Sequence, residues 1–220
     1  MTTVPPALKE RVPTADAAAA VRWKRLVEHP DAPKFNYAAG DRLGGEDLAG
    51  LDALRAALKA ERGPRSREAP DASVVGRVAS LAGLVPSFRA RLLKGLDPAR
   101  HWAEVPTTSR AELAVSAWSF VPDDQTLERL VIYRTAGTTG HPIAVPHHPF
   151  AVACYLPLLE LALERHGVHE DFRGAAAACV LVGAQTHTYT YATVLAGWGH
   201  AGFVKANLRD TQWSSPESRR

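Results

Sequence analysis

Apolar positions in the first hundred residues recur at helical spacing. Leu48, Leu51, Leu54 and Leu58 mark one face of a helix that Gly63 and Pro64 end. A polar linker, residues 65–72, separates it from a second helical stretch, Val74 to Lys94. That stretch carries Val78, Leu81, Leu84, Leu92 and Leu93, is interrupted near Pro86, and stops before Gly95 and Asp97-Pro98. These stripes read as core positions, not as cofactor contacts. Ser109 followed three residues later by Glu112 is a capping-box pattern, so a short helix should start there. Beyond it the pattern changes. Val131-Ile132-Tyr133 reads as a strand, Phe150 to His166 as a helix kinked at Pro157, and Ala176 to Val182 as a buried strand. Tyr189 to Gly197 reads as another helix and Gly202 to Ala206 as another strand. Alternation of this kind predicts an α/β fold, with a helical N-terminal region followed by a mainly parallel sheet flanked by helices.

Chemistry concentrates in Tyr133-Arg134-Thr135-Ala136-Gly137-Thr138-Thr139-Gly140-His141-Pro142. Gly137 and Gly140 lack the Cβ that would hold backbone donors away from an anion, and Thr135, Thr138 and Thr139 add hydroxyl donors. A P-loop would need Gly-Lys followed by Ser or Thr, whereas His141 and Pro142 follow Gly140. The segment therefore suits an oligophosphate grip of another kind. A Gly/Thr-rich turn joining two elements is the plain alternative. In a parallel sheet, ligands sit beyond the carboxyl ends of the strands. On that expectation the turn and the segment Gly183 to Thr188 would share one crevice.

The run Thr135 to Pro142 resembles the phosphate-binding signature of adenylate-forming enzymes, the AMP-dependent synthetases and ligases, and is most similar to the phenylacetate-CoA ligase branch. Val105 to Leu113 resembles the stretch before that signature and Val180-Leu181-Val182-Gly183 the strand after it. The resemblance covers residues 100 to 208, with a weaker likeness from Trp23 to Leu43. It divides the chain into a helical lead-in (1–104), an α/β nucleotide-binding portion (105–208) with the phosphate loop at 133–142, and a polar tail (209–220). It implies that Thr135, Gly137, Thr138, Thr139 and Gly140 bind ATP. It also implies that Gln185, His187 and Tyr189 line the acid pocket, although an exposed polar loop is an equal reading of those three. Two positions depart from the signature. Ala136 stands where many members have serine or glycine, and Ile143 where many place lysine; Arg134 or His141 are the nearby cations.

The activity implied is that of an AMP-forming acid:CoA ligase, in which a carboxylic acid is activated by ATP through an acyl-adenylate and passed to CoA. Relatives that transfer the acyl group to a protein or amine share the same motifs. At 220 residues the chain has about half the length such a ligase uses, so the expectation is an N-terminal part, inactive by itself. The lysine-bearing C-terminal domain and the magnesium-binding acid have no counterpart, and no catalytic residue can be assigned. A different class remains open: a non-catalytic remnant or interaction module that pairs with a separate C-terminal half or self-associates through an unpaired sheet edge.

Composition narrows the rest. Hydrophobic residues make up 46% and charged residues 22%, which permits a sizeable core. The net charge of +3 invites nucleic acid, but the cations are scattered among acids without aromatic interleaving, so no nucleic-acid partner is expected. The N-terminus shows no basic-then-apolar pattern and no apolar run reaches about 18 residues, which predicts a cytoplasmic protein without a membrane partner. Cys154 and Cys179 sit among apolar neighbours as reduced core thiols would. Nine histidines, with His147-His148 and the His166 and His169 pair foremost, match no zinc spacing, and no metal site is expected. No Gly-x-Ser-x-Gly elbow is present for a serine nucleophile.

Overall fold

The computed structural model describes residues 3–60, 72–92, 97, 100–135, 142–186, 188–209 and 213. The chain forms two compact units, one of Met1–Glu61 with Pro149–Arg220 and one of Arg62–His148.

The first unit opens with helices α1 (Pro6–Arg11), α2 (Ala17–Val27) and α3 (Gly45–Ala60). Proline suits the start of α1, where its missing N–H would have no helical partner. Asp16 caps α2 by accepting the Ala19 N–H at 2.7 Å, and that bond holds its carboxyl below the usual carboxylate range. The leucine spacing of the 48–58 stretch does produce α3, and Leu51 on it is fully buried.

In the second unit the Val74–Lys94 stretch divides into α4 (Ala72–Ala82) and α5 (Pro86–Leu92), split where Pro86 was expected to break it. Helix α6 (Arg110–Val115) begins with the complete capping box: Ser109 Oγ accepts the Glu112 N–H at 3.2 Å and Glu112 Oε2 accepts the Ser109 N–H at 2.7 Å. Arg91 anchors the approach to α6, donating to the Thr107 carbonyl at 3.0 Å, to Thr108 Oγ1 at 3.1 Å and to Glu112 at 2.5 Å. Strands β1 (Val131–Arg134) and β2 (Ala144–His147) pair antiparallel, Val131 opposite His147 and Arg134 opposite Ala144.

The chain then returns to the first unit. Here the expected single helix from Phe150 to His166 is two, α7 (Pro149–Ala153) and α8 (Tyr155–Arg165). The break falls at Cys154, not at Pro157. Proline lies in the first turn of α8, where no intrahelical donor is required. Strand β3 (Cys179–Gly183) replaces the predicted buried strand, but Val180, Leu181 and Val182 are each about half exposed. Tyr189 to Gly197 is not helical. It forms strand β4 (Tyr191–Leu195), followed by a 3-10 turn at Ala196–Trp198, and strand β5 (Ala201–Asn207) completes a sheet of order β3-β5-β4.

The fold is mixed α/β, and the sheet expectation needs correcting. Of the described strand pairs only β3 with β5 is parallel, while β4 with β5 and β1 with β2 are antiparallel. Tight connections account for this: β4 reaches β5 through the 3-10 turn and left-handed Gly199 (φ 57°) and His200 (φ 61°), a link too short for a parallel crossover. The core of the first unit gathers Leu8, Val12, Ala19, Leu43 and Leu51 from the N-terminal portion with Val194 and Ala196 from the later one.

Candidate functional site

The glycine- and threonine-rich segment interrupts the β1–β2 hairpin. After the last strand pair, Thr135 extends the ladder: its N–H donates to the Ile143 carbonyl at 3.1 Å, and its Oγ1 accepts the Ile143 N–H at 3.0 Å. Two bonds between the same two residues make a closed neck. Thr135 is thus a base of the turn before it is a ligand, its hydroxyl keeping one proton to donate. Gly137, Thr138, Thr139 and Gly140 lie outside the described residues, as does His141.

Ile143, where the resemblance would expect a lysine, is only 5% exposed. Its apolar side chain anchors the neck, and a lysine there would have to bury its stem or swing out. Arg134 ends β1 on the exposed side. Behind it, Tyr133 meets His147 edge-to-face at 5.1 Å between ring centres, bracing the two strands.

Gln185 and Tyr189 belong to the first unit, on the connection between β3 and β4; His187 lies outside the described residues. The common parallel sheet that would have set this segment beside the 133–142 turn is not formed, since β1 and β3 belong to separate sheets. The connection is held at both ends by asparagines. Asn207, 1% exposed at the end of β5, accepts the Gln185 N–H through Oδ1 at 3.1 Å and donates Nδ2 to the Gln185 carbonyl at 2.7 Å. Asn36 accepts the Thr190 N–H at 2.8 Å and donates to the Thr188 carbonyl at 3.1 Å. Gln185 itself is exposed. Tyr189 is 61% exposed and packs against Tyr37 with its ring tilted by 39°, ring centres 4.6 Å apart, while Tyr37 also meets Tyr191 at 6.2 Å.

Neither asparagine was singled out from sequence. Asn207 ends an otherwise largely apolar strand, and that mismatch was the available signal; Asn36, in irregular chain, offered none. Asp41 was missed too. Its Oδ2 accepts the Ala196 N–H at 2.5 Å and its Oδ1 the Leu43 N–H at 3.3 Å, and burial pushes its pKa up to about 6. It ties the segment before α3 to the turn after β4, a structural task.

The two thiols are unpaired, and burial raises the pKa of both, so neither is set up as a nucleophile. Among the described residues no group of three or more His, Cys, Asp or Glu side chains could hold a metal ion. No described helix is long and apolar enough to cross a membrane. Comparison with protein families, with curated proteins and with solved structures finds no match.

Proposed function

We propose that the 133–142 turn grips an oligophosphate and that the chain contributes this element to AMP-forming activation of a carboxylic acid, the chemistry of the acid:CoA ligases its signature resembles. The observation that supports this reading most is the pair of hydrogen bonds between Thr135 and Ile143, which closes the neck beneath a segment rich in glycine and hydroxyl groups. A closed neck fixes Thr135 and Ile143, so the ordering of these two anchor residues does not have to occur when an anion binds. Thr138, Thr139 and the backbone at Gly137 and Gly140 would then supply the donors, and Arg134 a nearby cation. ATP would bring the leaving pyrophosphate, with magnesium spreading its charge and CoA taking the acyl group in a complete enzyme.

Calorimetric titration with ATP and with pyrophosphate, each with and without magnesium, tests the grip. Saturable binding should fall at least tenfold in Thr138→Ala, and further in Gly140→Val, where a branched side chain enters the anion's space. Binding that is absent, or untouched by both substitutions, would leave the segment as a connecting turn.

A further inference from the structure

Thr14, on the turn between α1 and α2, meets His200, on the turn between β4 and β5, with 3.2 Å between Oγ1 and the ring Nε2. Both side chains are partly buried, so one side of the pair remains open to a small molecule. The histidine is held in an uncommon conformation. Its φ of 61° lies in the left-handed region, which a residue carrying a Cβ rarely adopts, and its carbonyl accepts Arg22 Nη1 from α2 at 2.7 Å. Glycine would make the same turn without strain, and strain of this kind collects where a side chain has work to do.

Three charges act on the ring. Burial first, and then the cations Arg22 on α2 and Lys9 on α1, hold the imidazole below its ordinary value, against the pull of the Asp16 carboxylate and the Thr14 backbone. The ring is therefore neutral at pH 7 and free to take a proton. A hydroxyl within hydrogen-bond reach of a neutral imidazole is the pairing that turns a weak nucleophile into a competent one. Lys9 Nζ donates to the Ala15 carbonyl at 3.0 Å, one residue along from Thr14, and spends one of its three donors there.

We infer that Thr14 and His200 form a nucleophile and base for acyl transfer from small esters, with Lys9 supplying positive charge to the oxyanion. With the imidazole proton on Nδ1, Nε2 accepts from the Thr14 hydroxyl. Oγ1 bonds to the ester carbonyl carbon as its proton passes to Nε2. The bond to the leaving alcohol then breaks, and that oxygen takes the proton from Nε2. Water, deprotonated by the same nitrogen, attacks the acyl-threonine, releases the acid and restores Thr14. Lys9 can turn its other N–H groups to the oxyanion, and Asp16 offsets the charge of the imidazolium. Partial burial of the pair leaves room for a short acyl group. None of residues 133–142 takes part, so failure of this inference would leave the phosphate reading untouched, and the reverse.

The test incubates the full chain with p-nitrophenyl acetate, follows release of p-nitrophenol, and locates the acetyl group by peptide mass spectrometry. A burst of about one p-nitrophenol per chain, with the acetyl on Thr14, is expected. Thr14→Ala should remove burst and label, while Thr14→Ser should keep both. His200→Asn tolerates the left-handed backbone and should slow acetylation about a hundredfold. It should also flatten the rise in rate that the native protein shows between about pH 5 and 7 as the ring loses its proton. Circular dichroism should stay native in all three variants. Acetyl confined to lysines or cysteines, a burst that survives Thr14→Ala, or a pH profile unchanged in His200→Asn would overturn the assignment and leave the pair as a latch between two turns.

Discussion

At the scale of single residues, Asp41 makes the sharpest prediction. An enclosed carboxylate that titrates near 6, above the ordinary aspartate value of 3.8, holds its proton more tightly in the folded protein than in the unfolded chain. Folding then binds protons between those two values, and stability falls as pH rises through that window. The contribution is on the order of 2–3 kcal/mol, present below about pH 4 and lost above about pH 6. Asp41→Asn has nothing to titrate there. Urea denaturation at pH 4, 5, 6 and 7 should show the native protein losing stability relative to this variant as pH rises. The variant should be the less stable of the two at pH 4, because its amide turns a donor toward the Ala196 or Leu43 N–H. A stability difference that does not change with pH would remove Asp41 from this role.

Among elements, the joint between α3, α8 and the turn after β4 is made by polar groups. Arg55 on α3 donates to Glu160 on α8 through Nε at 2.9 Å and Nη2 at 2.8 Å, and to the Gly197 carbonyl at 2.6 Å. Trp198 Nε1 donates to the same Glu160 at 2.6 Å. The hydrogen bond to Glu160 raises the Arg55 pKa further, so the guanidinium stays charged. Glu160→Ala should cost roughly 2–3 kcal/mol by leaving the indole N–H without its acceptor and the guanidinium with only Asp52 and the Gly197 carbonyl. The double variant Arg55→Leu with Glu160→Leu should recover part of that loss, measured by chemical denaturation. A single-variant cost under about 0.5 kcal/mol would mean the joint is held by packing alone.

Elements differ in how openly the sequence declares them. The α3 stripe and the Ser109 cap were legible because each depends on neighbours within one or two turns. The β4 strand was not. Tyr191 to Leu195 is a short apolar run, and runs of that length fit a helix or a strand equally by periodicity; β-branched Thr193 and Val194 were the better guide. Sheet direction was misread because it followed from a presumed helix between strands. Likewise Asp41 and Asn207 act on residues 155 and 22 positions away, which no local pattern encodes. The glycine- and threonine-rich turn drew attention through composition, whereas its neck depends on one cross-strand pair.

For the molecule as a whole, β3 is the exposed edge of its sheet. It pairs only with β5 among the described strands and shows Val180, Leu181 and Val182 to solvent. Were a second copy to pair there, an antiparallel strand centred on Leu181 would set Val180 against Val182 in both directions, as a two-fold interface requires. Sedimentation velocity should show association growing with concentration, and Leu181→Lys should suppress it. A sharp monomer across the whole concentration range would exclude this pairing.

The first unit is assembled from two stretches separated by 62–148, and this governs how the protein must be made. Asn36 waits for Thr190, 154 residues later, and Thr14 for His200, 186 residues later. At about 5–20 residues per second, the ribosome keeps Val12, Leu43 and Leu51 without their final neighbours for roughly 10–30 s. Throughout that interval the nascent chain exposes apolar helices that only its later strands can cover, which makes it a natural client for a co-translational chaperone.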